Sequence, residues 1–206
     1  NGSTVRYFER WAFQDDCLGD APLCNLADSH VSYSGVATNT ISAPHLAGEQ
    51  VVVWADGEDI GHDENDDLIY TLDGSGNANL ANGLTVTNYV AGLPYTARFK
   101  SGKLGQLQSQ IGITLKSEKA IAMLGLILAD THNKGIKFGR DFDNLDDLPR
   151  TYDTAVVDDA EVFEEYDQPM VPFPGTYEVD SRMCLQAIAP RSCTVLAAVT
   201  KVNAHD

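Results

Sequence analysis

The stretch Val51-Val52-Val53-Trp54-Ala55-Asp56-Gly57 decides how the chain is read. Three valines and a tryptophan in succession form a β-branched and aromatic run, and the Asp-Gly pair that closes it suits a tight hairpin. Strand signals continue on both sides. Upstream, Thr4 to Phe13 alternates, with Val5, Tyr7, Trp11 and Phe13 on one face and Arg6 and Arg10 on the other, the period of a half-buried strand. Downstream, Leu68 to Leu72 is closed by the flexible turn Asp73-Gly74-Ser75-Gly76-Asn77. Leu84 to Val90, Tyr95 to Lys100 and Gln110 to Lys116 follow, each short and bounded by Gly or Pro. Short strands at this spacing predict an all-β fold, an antiparallel β-sandwich or barrel-like module with long acidic loops.

Lys119 to Asp130 is ambiguous, because Ala, Met and Leu favour helix while Gly125 interrupts it; we read it as a buried strand. Gly135 to Glu165 reads as loop-rich and acidic, with one short strand around Ala155 to Val157. Two strands, Tyr177 to Ile188 and Cys193 to Val202, close the chain around Ala189-Pro190-Arg191. Because these last strands look like returning members of one core, residues 1–206 are expected to form a single module. Any subdivision is expected near 139–149.

Composition agrees with a folded domain. The chain has 206 residues, 43% hydrophobic and 21% charged, near the globular average. Its densest apolar run, Ala120 to Ala129, is about half the ~20 residues a membrane span needs, so no membrane insertion is expected. No charged-then-apolar leader precedes Thr4, and the chain is expected to be the C-terminal part of a longer polypeptide. Cys17, Cys24, Cys184 and Cys193 match no compact zinc or redox spacing, which makes free thiols the default expectation.

The net charge of -16 is concentrated. Asp56 to Asp73 holds eight acidic residues and no Lys or Arg, and Asp141 to Asp167 holds eleven against Arg150 alone. Arg98 to Arg140 carries eight basic residues against Glu118 and Asp130. Phosphate neutralisation needs a basic footprint, so specific nucleic-acid binding is disfavoured; an acidic wall instead lets DNA slide past without sticking. Segments of opposite charge also give a subunit two complementary surfaces with which to dock on its own copies.

No catalytic template fits. Nucleophile elbows, phosphate-gripping loops and HExxH helices are absent. His30, His45, His62, His132 and His205 are scattered singly and read as surface or turn residues. The clusters Asp63 to Asp67 and Asp141 to Asp147 are rich enough in oxygen for Ca²⁺ but lack the register of an EF-hand loop. Many carboxylates leave a glycosidase pair conceivable, yet nothing selects one. The chain is therefore expected to be no enzyme and to need no cofactor.

Four blocks carry a resemblance: HLAGEQVVVWADG (His45 to Gly57), VAGLPYTARFKSGKL (Val90 to Leu104), GIKFGRDFDNLDDLP (Gly135 to Pro149) and FPGTYEVDSRMCLQAIAPRSCTVLAAV (Phe173 to Val199). In this order they resemble the C-terminal part of the tail nozzle proteins of short-tailed phages (podoviruses), also called tail tubular or DNA-stabilisation proteins. The resemblance implies a virion structural protein, assembled in the host cytoplasm, whose homo-oligomeric ring, usually a hexamer, surrounds the DNA ejection channel. The implied partners are further copies, the tail adaptor, other tail proteins such as fibres, and genomic DNA in passage. On that reading Asp143, Asp146 and Asp147 are expected to line the channel, and Arg98, Lys100, Lys103, Lys137 and Arg140 to make subunit contacts. The alternative is a carbohydrate- or receptor-binding β-sandwich at the tail tip, using loops such as Ala55 to Asp67.

Overall fold

The computed structural model describes Arg6, Phe13 and residues 27–60, 69–104, 107–108, 112–113, 117–149, 151–152, 155–156, 162–167 and 169–204. The fold is all-β, built from antiparallel sheets, none of which closes into a barrel among the described strands. No helix among the described residues is long and apolar enough to cross a membrane. The chain divides into two compact units, one of Asn1–Thr96 with Ile188–Ser192, the other of Ala97–Ala187 with Cys193–Asp206.

The first unit contains β1 (Asp28–Thr38), β2 (Thr40–Ser42), β3 (Gln50–Ala55), β4 (Glu58–Asp59), β5 (Tyr70–Thr71), β6 (Asn77–Asn79) and β7 (Val86–Leu93). Its main sheet runs β1-β7-β3-β4, with β5 also on β3. The β3–β4 hairpin pairs Ala55 with Glu58, leaving Asp56 and Gly57 as a two-residue loop with φ of 48° and 93°. Positive φ at both positions is what lets such a loop follow the right-handed strand twist, and Asp-Gly supplies it. The Asp56 carboxylate accepts hydrogen bonds from the backbone N–H groups of Thr87 and Asn88 and from the Thr87 hydroxyl, tying the turn to β7. Behind the sheet, Ile41, Leu46, Val51, Val53, Leu72 and Tyr89 form the core. Trp54 is fully buried, as its place in the strand pattern predicts.

The second unit continues with β8 (Thr96–Lys100), β9 (Leu107–Gln108), β10 (Gly112–Ile113), β11 (Lys119–His132), β12 (Lys137–Asp141), β13 (Asn144–Asp147), β14 (Thr151–Tyr152), β15 (Ala155–Val156), β16 (Val162–Asp167), β17 (Val171–Pro172), β18 (Cys184–Ile188) and β19 (Thr194–Ala204). The long strand β11 is central: β19 pairs along one side, β16 and β17 along the other. A second sheet runs β13-β12-β18-β8. Leu124, Leu126 and Leu128 of β11 pack with Phe138, Leu185 and Phe173 in one core, the alternation of a sandwich layer.

The ambiguous segment at Lys119 is a strand, because Gly125 costs a strand little when its neighbours fill the space and the β11 leucines alternate into a core. Other readings need correction. Among its described residues, Gly135 to Glu165 carries more strand than expected: β15 matches the short strand expected around Ala155 to Val157, but the β12–β13 hairpin, β14 and β16 form as well. Backbone pairing overrides the weak strand propensity of Asn144-Leu-Asp-Asp147. Positions 139–149 lie inside the second unit, and the hairpin occupies most of them. The strand expected from Tyr177 starts only at Cys184; upstream of it Glu178 makes one isolated bridge to Lys119. β1 had no reading. His132 is fully buried rather than a surface residue, with Nδ1 accepting the Lys134 N–H at 3.2 Å. The expected strand at Thr4 to Phe13, with Trp11, lies outside the described residues apart from Arg6 and Phe13, and so do Cys17, Cys24, His62 and His205.

Candidate functional site

Seven of the eight residues expected to act in DNA passage or subunit contact fall on one sheet or its hairpin turn. Arg98 and Lys100 stand on β8, Lys137 and Arg140 on β12, Asp143 in the β12–β13 turn, and Asp146 and Asp147 on β13. Lys103 follows β8 by three residues. Stretches that are basic or acidic along the chain are thus interleaved in space.

A polar row crosses this sheet. Lys137 lies opposite both Gln186 and Asp147, and its Nζ is 3.2 Å from the Asp147 carboxylate. The Arg98 Nε donates to Gln186 Oε1 at 2.8 Å, and its guanidinium sits 5.0 Å from the Phe142 ring centroid. Such a contact holds the cation over the aromatic ring of the β12–β13 turn. Arg140 donates to the adjacent Asp141 carboxylate at 3.1 Å. Of the five expected contact cations, Arg98, Lys137 and Arg140 are therefore engaged within the subunit.

The hairpin that presents the carboxylates is shaped by Asp141. Its Oδ1 accepts from the Asn144 amide at 2.8 Å and the Asp143 N–H at 3.0 Å. The Asn144 bond, with help from the Asp143 amide and Arg140, holds the Asp141 carboxyl below the usual carboxylate range. Gly139 is required where β12 meets the turn, because a side chain there would overlap the Asn144 carbonyl. Asp143, Asp146 and Asp147 are all exposed. Asp146 and Asp147 are consecutive strand residues and so point to opposite faces.

Two residues that the sequence reading missed complete the charged cluster. Arg182 donates to Asp180 at 2.9 Å and to the Ser101 carbonyl at 3.3 Å. The Arg182 hydrogen bond chiefly lowers the Asp180 carboxyl, and Lys103 and Lys100 add to the effect. No local motif marks this pair, since Arg182 reaches the Ser101 carbonyl, just past β8, across 81 residues of chain.

The remaining carboxylates are divided among other tasks. Asp56 anchors the Asp-Gly turn, Asp59 pairs with Arg191 at 2.5 Å, and Asp73 accepts the N–H groups of Ser75 and Asn77. Asp63 to Asp67 lie outside the described residues. Glu164, Glu165 and Asp167 are exposed on β16, in the other sheet. Cys184 and Cys193 are free thiols. Burial raises both, Cys193 to about 11, the wrong direction for a nucleophile at neutral pH. Among the described residues no three His, Cys, Asp or Glu side chains converge as metal ligands. No family model matches this chain, and no curated protein matches it.

Proposed function

We propose that this chain is a structural subunit of a short-tailed phage tail nozzle, forming a homo-oligomeric ring around the channel through which DNA leaves. One observation carries the reading. The four blocks of the resemblance are each other's strand partners. The first pairs with the second through β3 and β7, where Val53 meets Ala91 and Trp54 meets Val90. The third and fourth pair through β12 and β18, and the second returns as β8 on the far side of β18. These pairings support the reading by making parts of all four blocks neighbours in the fold, while β1, β11 and β16 lie outside the blocks.

In this reading the sheet β13-β12-β18-β8 presents Asp143 and Asp146 as exposed carboxylates that repel passing phosphates. The Lys137–Asp147 and Arg140–Asp141 pairs keep cations from gripping the duplex. Genome retention and release then depend on assembly rather than on specific binding.

Particles assembled with and without the protein test this. Without it, heads are expected to lack a complete tail and to lose DNA; tailed, DNA-filled particles formed in its absence would contradict the proposal. Asp143→Lys with Asp146→Lys is expected to slow genome release in assembled particles, because each new cation holds a phosphate. Unchanged ejection kinetics would place the hairpin outside the channel.

A further inference from the structure

The sheet around β11 has two outer edges, and they differ. On one side lies β19, eleven residues long, whose only charged member is Lys201. Leu196 and Val199 on it are 64% and 56% exposed. On the other side lies β16, with Glu164, Glu165 and Asp167 exposed and no cation. No described strand pairs with the outer side of either. A long, apolar, unprotected edge is a template for strand addition, and monomeric proteins ordinarily blunt it.

We propose that a second copy of this chain continues this sheet, the β16 edge of one subunit adding to the β19 edge of the next. The inference rests on the reading of the chain as a self-assembling subunit and names the surface that joins its copies. Three observations select this partner. First, β16 and β19 both run antiparallel to β11, so they run parallel to each other. A neighbour related by rotation about an axis near the strand direction therefore offers β16 to β19 in parallel register, a heterologous contact of the kind that closes rings.

Second, the charges match. Lys201 lies opposite Met123, and Asp167 and Glu165 lie opposite Ile127 and Ala129. Alternate positions of a strand share a face, so all three side chains stand on the same face of the sheet. Two β16 edges brought together would oppose carboxylates to carboxylates.

Third, the register that places Lys201 beside Asp167 covers the exposed apolar stretch. It sets Val162–Asp167 alongside residues 196–201, spanning Leu196 and Val199. It also offsets neighbouring copies by four β11 residues, Met123 against Ile127. That is about 13 Å along the strands over about 14 Å of sheet, a tilt near 40°. Curved sheets close at strand tilts of roughly 35–45°.

Charge reversal in the full chain tests the proposal, with self-association read by sedimentation velocity at low salt. Lys201→Glu alone, and Glu165→Lys with Asp167→Lys, should each weaken association about tenfold, and the three together should restore it to within about threefold. All are exposed positions, and circular dichroism checks the fold. Amide exchange along β19 should also slow on assembly. If the parent associates but neither reversal matters, or the combination fails to restore association, this interface is wrong while the ring reading stands. A parent that stays monomeric at high concentration overturns both.

Discussion

Arg191, in the turn between β18 and β19, donates through Nε to the Asp59 carboxylate of β4 at 2.5 Å, and the two side chains are only 9% and 15% exposed. An ion pair taken this far from water gains little over an apolar pair of the same shape, but losing one partner strands a buried charge. Arg191→Ala is therefore expected to destabilise the first unit by about 3 kcal/mol, with Asp59→Leu plus Arg191→Met recovering most of the loss. Urea unfolding measures this. A loss well below 1 kcal/mol would show the pair to be hydrated.

The Asp56 turn predicts an acid dependence. Burial raises its carboxyl, but the hydrogen bonds from Thr87 and Asn88 outweigh that and leave the group below its ordinary 3.8. A depressed carboxyl contributes stability that is whole above its unfolded value and is lost as pH falls through the folded one. Asp56 is exposed, so the contribution is modest, about 1 kcal/mol for Asp56→Ala at neutral pH. The variant should lose part of the acid-induced destabilisation seen in the parent below about pH 4. Parallel stability curves across that range would refute this role.

Glycine positions should separate cleanly. Gly139→Ala forces a methyl into the Asn144 carbonyl, whereas the nearest atom to a methyl at Gly125 is the flexible Met170 Cγ at 3.3 Å. Gly139→Ala should cost more than about 2 kcal/mol and open the β12–β13 hairpin; Gly125→Ala should cost under about 1. Thermal unfolding of both variants checks the order, and equal costs would contradict it.

Thiol chemistry gives a further check. With Cys193 raised to about 11 by burial, its thiolate fraction at pH 8 is about one in a thousand, and only the thiolate alkylates. Peptide mapping after alkylation should show Cys193 modified about 100-fold more slowly in the folded than in the unfolded chain, with Cys184, which burial also raises, slowed in the same direction. Equal rates would show that neither is sheltered.

How much of this was legible depends on what each residue encodes locally. Val51 to Gly57 states both a strand and its turn, and β3, Asp56 and Gly57 follow from those residues alone. The leucines of β11 likewise declare a core. β13 does not, since Asn144-Leu145-Asp146-Asp147 is strand only because β12 offers it hydrogen bonds. The penultimate strand, β18, starts later than Tyr177 and Val179 suggest by strand propensity, because the segment turns at Val179 and Asp180 before it. The site was half legible. Its residue types were visible as charge runs, but Lys137 facing Asp147 and Arg98 meeting Gln186 are facts of register and long-range pairing, which charge counting along the chain does not contain. Reading the runs as opposed surfaces therefore overstated their separation on the second sheet.

Native mass spectrometry of the intact protein at micromolar concentration, with negative-stain images of the same sample, tests the central claim most directly. The account predicts closed rings whose mass is a single integer multiple of the subunit mass. Monomers alone, or open assemblies of continuously varying size, would contradict it.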